Sequence, residues 1–124
     1  MVKILIVDDN DDYRKMLRSG LKKANFDVIE ASDSISGEIK FYEEFPDLVI
    51  MDIFLPGRDG IQAIHSLKEE YENVKVIAIS GAASTGMTNF LLDRALETGA
   101  DITLKKPFKI EELLTNINNL LNNS

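Results

Sequence analysis

The sequence predicts an α/β fold: a doubly wound (βα)5 sandwich in which helices cover both faces of a five-stranded parallel sheet. Three observations lead there. Short apolar runs alternate strictly with helix-length amphipathic segments. The runs are apolar throughout, as in Lys3-Ile4-Leu5-Ile6-Val7 and Leu48-Val49-Ile50-Met51, which suits strands buried on both faces. The connections are short, as consecutive β and α elements of one sheet require.

The first strand, near 2–7, runs into Asp8-Asp9. The helix after it, about 12–24, carries Tyr13, Met16, Leu17, Leu21 and Ala24 at helical spacing. Asn10, Asp11 and Asp12 at its amino end suit capping and the helix dipole. The second strand, 27–31, leads into a helix over 33–44, where Ile35, Ile39 and Tyr42 recur at helical spacing until Pro46 stops it. The third strand, 47–51, runs into Asp52, and Pro56-Gly57 and Asp59-Gly60 supply turn chemistry. The third helix, 58–70, sets Ile61, Ile64 and Leu67 on one stripe. The fourth strand, 74–80, ends at Ser80, and the helix over 85–97 closes at Thr98-Gly99, where glycine suits a C-cap. The fifth strand, 101–105, leads to Lys106-Pro107, an X-Pro bond that can turn the chain sharply when cis. Ile110, Leu113, Leu114, Ile117 and Leu120 pattern a last helix over 109–121, and the asparagine-rich end reads as a fraying terminus.

At 124 residues, with 44% hydrophobic and 28% charged residues, the chain reads as one domain over 1–124 with no output domain attached. It has no cysteine, which excludes disulfides, thiolate metal sites and a cysteine nucleophile. A strand starting almost at Met1 leaves no room for a signal peptide, and no apolar stretch approaches the roughly 20 residues of a membrane span, so the cytoplasm is the expected location. The net charge of −7, with no clustered basic surface, argues against nucleic acid.

Ligand sites of open parallel sheets lie beyond the carboxyl ends of the strands. That edge would gather Asp8, Asp9, Asp52, Ser80 and Lys106. Crowded carboxylates repel one another and call for a divalent cation. An all-oxygen, mostly carboxylate donor set suits Mg²⁺. Asp52, at the end of an apolar run, can attack a phosphoryl group and carry it as an acyl phosphate. It can equally be a further metal ligand, or a buried acid paired with lysine. The Lys106 ammonium would offset acidic charge and hold a phosphoryl oxygen, whereas Lys105 reads as a surface residue. His65, on the third helix, lies away from this edge and reads as a surface residue too.

These residues together resemble the response-regulator receiver domain, the phosphoacceptor half of two-component signalling. The resemblance spans the whole chain. It rests on Ile6-Val7-Asp8-Asp9-Asn10, on Met51-Asp52-Ile53-Phe54-Leu55-Pro56-Gly57-Arg58-Asp59-Gly60, on Ser80, and on Lys106-Pro107-Phe108. It implies a flavodoxin-like sheet in the order 2-1-3-4-5. It also implies that Asp52 is the phosphoacceptor, and that Asp8, Asp9, Asp52 and the backbone carbonyl of Phe54 hold Mg²⁺. Ser80 and Lys106 would bind the phosphoryl oxygens. The donor would be a histidine kinase or histidine phosphotransfer protein, and the output would be protein contact around the fourth helix, fifth strand and fifth helix. The chain is expected to be a monomer or weak dimer, with no nucleic-acid or membrane partner and no enzymatic activity beyond assisting its own phosphotransfer and dephosphorylation.

Three departures from the family stand out. Thr103 occupies the place of the usual fifth-strand aromatic, and neither Tyr71 nor Phe90 replaces it by position. The stretch from Ser80 to Lys106 is longer than in chemotaxis-type receivers, with the excess in Gly81-Ala82-Ala83-Ser84-Thr85-Gly86 and the start of the fourth helix. Phe54 and Ala82 occupy the positions that in the family line the path of the hydrolytic water, and neither can orient it by hydrogen bonding, so slow loss of phosphate is expected.

Rival readings account for less of the chain. Gly81-Ala82-Ala83-Ser84-Thr85-Gly86-Met87-Thr88 nearly matches a nucleotide-binding loop, but Met87 stands where its lysine belongs. A flavodoxin-type cofactor would meet Asp8-Asp9-Asn10-Asp11-Asp12, which repels phosphate. A haloacid-dehalogenase-type phosphatase could use Asp9 and Asp11 but would leave Asp52 and Pro107 idle. A phosphorylation-independent pseudo-receiver, or a receiver cut from a longer regulator, are the alternatives closest to the main reading.

Overall fold

The structure, a computed structural model, describes residues 1–55, 60–81 and 85–122. In chain order the elements are β1 (Lys3–Val7), α1 (Asp11–Lys23), β2 (Asp27–Ala31), α2 (Ser34–Glu44), β3 (Leu48–Asp52), α3 (Gly60–Glu70), β4 (Lys75–Ser80), α4 (Thr85–Thr98), β5 (Ile102–Lys105) and α5 (Ile110–Asn122). All strand pairings are parallel and the order is β2-β1-β3-β4-β5. The predicted architecture is therefore observed. Strand ends fall within a residue of the periodicity-based limits, and β3 extends by one residue to include Asp52. The turn residues Pro56-Gly57 and Asp59, and the small residues 82–84, lie outside the described residues. Among those described, no helix is long and apolar enough to cross a membrane.

Successive strand side chains point to opposite faces, and the core divides accordingly. Ile4, Ile6, Leu48, Ile50, Ile77, Ile79 and Leu104 pack with Leu17 and Leu21 of α1 and Leu113 and Ile117 of α5. Leu5, Val7, Val49, Met51, Val76 and Ala78 pack on the other side with Phe41 of α2, Ala63, Ile64 and Leu67 of α3, and Leu92 and Ala95 of α4. Asn10 caps α1 as expected, accepting from the Tyr13 N–H at 2.9 Å. α4 closes at Gly99, whose N–H returns to the Ala95 carbonyl at 3.1 Å. At the sheet end remote from Asp52, Asp101 accepts from Lys68 Nζ (2.9 Å) and the Val76 N–H (2.8 Å), tying α3 to β4 and β5.

The apolar row of α2 noted at helical spacing faces outward. Ile35, Ile39 and Tyr42 of α2 are 59%, 54% and 42% exposed, while the helix buries Ser34, Gly37 and Phe41. The cause is close packing on β1. A Cβ at position 37 would stand 2.9 Å from Val7 Cγ2, so only small side chains fit beneath this part of the helix. The large apolar residues are left outside. Met16 of α1, also at core spacing, is likewise exposed.

Candidate functional site

The two-residue period of the strands settles which side chains meet. Asp8, one residue past β1, continues the parity of Ile4 and Ile6, and Asp52 that of Leu48 and Ile50. Lys106, one past β5, continues that of Ile102 and Leu104. All three project to the α1–α5 side of the sheet edge. Lys105 has the opposite parity and is exposed. Ser80 follows Val76 and Ala78 and belongs to the α2–α3–α4 side.

Lys106 Nζ lies 2.7 Å from Asp8 Oδ2 and 2.9 Å from Asp52 Oδ2. It joins two carboxylates that are 44 residues apart in the chain and almost wholly buried, at 0% and 4% exposure. The second oxygen of each is also engaged. Asp8 Oδ1 accepts from the Asn10 N–H and Asp52 Oδ1 from the Phe54 N–H, both at 2.9 Å. The Lys106 N–H donates to the Ser80 carbonyl at 2.9 Å, fastening β5 to β4 beside the cluster. The Lys106-Pro107 bond is cis, and the chain turns there into α5. Asp9 is exposed, and Asp8, Asp9 and Asp52 offer carboxylate oxygens within 4.8 Å of one another.

Burial drives the Asp52 pKa upward, more than the Phe54 N–H and the Lys106 ammonium bring it down. Burial pulls Lys106 down, but its two carboxylate partners outweigh it and the net shift is upward. The raised pKa has a consequence for stability. Above the folded pKa of Asp52 the penalty for burying its charge is fully present, and it is relieved as pH falls through that pKa. In chelator at neutral pH, Asp52→Asn is therefore expected to be more stable than the parent by about 1 kcal/mol. The gap should close as the buffer is acidified through that raised pKa. Urea unfolding at neutral and acidic pH checks this, and a variant less stable than the parent at neutral pH would contradict it.

The donor set fits a hard divalent cation. All three candidate ligands are carboxylates, and among the described residues only the Lys106 ammonium is paired with them, which leaves their charge undercompensated. A fit for an incoming anion comes from a different atom. Ser80 Oγ is fully buried and has no hydrogen-bond partner among the described residues, an expensive state unless a ligand meets it. A cleft of about 430 Å³ opens over the cluster, lined by Asp9, Asn10, Tyr13, Asp52, Phe54, Gly81, Lys106 and Pro107. The Phe54 side chain is exposed at this cleft.

Tyr13 is the member that sequence reasoning placed with the core face of α1. Its ring packs against that core and also covers the Lys106 ammonium, 4.4 Å from centroid to Nζ, and meets Phe108 edge-on at 5.7 Å. Burial pushes its pKa up, and the Phe108 backbone and the Lys106 ammonium bring it part of the way back. The signal was present in the chain, since Tyr13 lies one helical turn beyond Asp9 and shares its end of α1. His65, as expected, is exposed, with Nε2 3.0 Å from Glu69 Oε1. It lines a separate cleft with Ile61, Gln62, Ser66 and Thr98 that holds no acidic cluster.

Comparison with known proteins places this geometry in a family context. Residues 4–118 match the family model described as the response regulator receiver domain. The structure is similar to a CheY-like response regulator receiver domain protein from Methanospirillum hungatei JF-1, at 28% identity and a TM-score of 0.89, covering 99% of this chain and 95% of that one. It is also similar to a response regulator receiver domain protein from Clostridium thermocellum, at 27% identity and a TM-score of 0.90, covering 99% and 96%. NtrX from Brucella abortus matches at 28% identity and a TM-score of 0.89, over 99% of this chain and 27% of the longer one.

Proposed function

This chain belongs to the response regulator receiver domain family of two-component signalling, and on that premise we propose that Asp52 is its phosphoacceptor. The donor is a phosphohistidine on a histidine kinase or a histidine phosphotransfer protein. The observation that carries the reading is the Lys106 ammonium bridging the buried carboxylates of Asp8 and Asp52 at the floor of an open cleft. Asp8, Asp9, Asp52 and the backbone carbonyl of Phe54 would hold Mg²⁺. When bound, the cation neutralises charge on the phosphoryl oxygens and the acceptor.

An Asp52 oxygen forms the new P–O bond as the P–N bond to the donor imidazole breaks, and that electron pair leaves with the ring. The transferred group spreads charge over its three remaining oxygens, so positioning and neutralisation carry most of the catalysis. Lys106 turns from Asp52 to one of those oxygens, and Ser80 donates its hydroxyl to another. Loss of the Lys106–Asp52 contact biases a two-state equilibrium read by protein partners at α4, β5 and α5. Thr103, half-buried in β5, cannot contribute the buried aromatic area that the family often moves in this step.

The test is to incubate the chain with Mg²⁺ and a small acyl-phosphate donor and to weigh it intact beside Asp52→Asn. One phosphoryl mass gained by the parent alone supports the acceptor assignment. An equal gain in the variant would move the acceptor elsewhere. No gain by the parent, from the small donor or from a phosphorylated histidine kinase, would favour a phosphorylation-independent module.

The decay of the same adduct bears on Phe54. An apolar ring at the cleft offers an attacking water no hydrogen bond, so Phe54→Asn is expected to shorten the acyl-phosphate lifetime several-fold. An unchanged lifetime would show that Phe54 does not govern water access. Ala82, the second residue read onto the water path, lies outside the described residues.

A further inference from the structure

The outward face of α2 presents an apolar surface that the phosphoacceptor chemistry does not use. Ile35, Ile39 and Tyr42 recur at i, i+4 and i+7, and Phe45 extends the row at the helix C-cap, 62% exposed. The row is about 15 Å long at 1.5 Å per residue. It belongs to the helix layer of α2, α3 and α4, but lies over β1 and β2 at the opposite edge of the sheet from α4 and β5.

Phe45 adds an independent observation. It adopts φ 49° and ψ 64°, the left-handed conformation in which a helix C-cap ordinarily places glycine or asparagine. Here an aromatic residue takes that strained position and leaves most of its ring in solvent. The ring rests on Phe41 (6.5 Å between centroids) and on Tyr71 (6.1 Å), which fixes its direction. Tyr42 is held as well, its hydroxyl donating to Glu70 Oε2 at 2.9 Å. Rigid, exposed aromatic side chains on a settled framework lose little freedom when a partner covers them, and such residues dominate binding energy.

The charge around the patch selects the occupant. Glu43 and Glu70 are exposed and Glu38 is half-exposed, while Glu44 is paired with Lys3 at 3.0 Å and Lys40 is the single basic residue of α2. A second copy on a two-fold axis would bring these acids against themselves, and an anionic surface would be repelled. The i, i+4, i+7 row is the pattern that interdigitates with another helix. We propose that this face of α2 docks a protein helix whose apolar stripe is flanked by lysine or arginine. The interaction is separate from phosphoryl transfer and from the α4–β5–α5 surface.

The test uses the full ¹⁵N-labelled chain and two synthetic amphipathic helices sharing one leucine stripe, one flanked by lysines and one by glutamates. The lysine peptide is expected to bind at least tenfold tighter, with amide shifts centred on residues 35–45 and on Glu70 and Tyr71. Phe45→Gly and Ile39→Ser should each weaken it about tenfold while leaving the thermal transition and circular dichroism unchanged. Equal binding of both peptides, shifts centred on α4, or full affinity in both variants would overturn the proposal. So would sedimentation showing a dimer of the chain that Ile39→Ser dissolves, because the face would then belong to a second copy.

Discussion

Replacing Lys106 by methionine is expected to move stability, metal affinity and phosphoryl uptake in different directions. In chelator the variant should lose about 3 kcal/mol, because Asp8 and Asp52 would remain buried without the ammonium they now share. Methionine keeps most of the lysine stem volume, so the loss reports charge rather than a cavity. Mg²⁺ affinity should rise roughly tenfold, since the ammonium now occupies one oxygen of each buried carboxylate and repels a second cation. Added Mg²⁺ would then recover part of the lost stability by mass action. Phosphoryl uptake at saturating Mg²⁺ should nonetheless fall on the order of 100-fold, through loss of a donor aimed at the transferred group. Chelator-controlled urea unfolding, Mg²⁺ titration and the intact-mass assay read the three quantities separately. If Mg²⁺ affinity fell along with uptake, the ammonium would be organising the acidic cluster instead of competing with the cation.

Gly60→Ala is expected to be the most damaging single methyl group near the site. Helix α3 starts so close to the end of β3 that a Cβ at position 60 would lie 2.5 Å from Ile53 Cα and 2.6 Å from the Asp52 carbonyl oxygen. Both neighbours are backbone, so relief requires movement of the chain that carries Asp52. A loss of about 2 kcal/mol follows from such overpacking, after allowing for alanine's better helix propensity. Uptake by the intact-mass assay should fall in parallel, because displacing a reacting group by about an ångström costs on the order of 100-fold. Unchanged uptake with reduced stability would show that the approach of α3 serves packing alone. Unchanged stability would show that α3 shifts freely away from Asp52.

Much of this protein was legible without coordinates. Continuous apolar runs separated by amphipathic segments specify a parallel α/β sandwich, since only a sheet covered on both faces buries such strands. Asp8, Asp52, Ser80 and Lys106 were legible as candidates because each stands at or just past the end of one of those runs. Capping by Asn10 was legible too, since the bond from the Tyr13 N–H spans only three residues.

Other features depended on contacts between distant segments. Periodicity identifies a helical stripe without saying what lies beneath it. The approach of α2 to Val7 at Gly37 turned Ile35, Ile39 and Tyr42 outward, and a helix wheel alone assigns them to the core. Tyr13 packs on the core as its spacing in α1 suggests, but only the placement of β5 and Phe108 sets the Lys106 ammonium under its ring.

Strands, helices and the charged groups of one sheet edge can be read along the chain, because side-chain period and local turn chemistry are short-range properties. How those groups pair is a property of packing. Lys106 lies 98 residues from Asp8 and 54 from Asp52, and the three meet only because strand order and a shared parity aim them at one point. Parity can be counted along a strand, but strand order and the distance between facing elements arise only when the sheet and its helices pack.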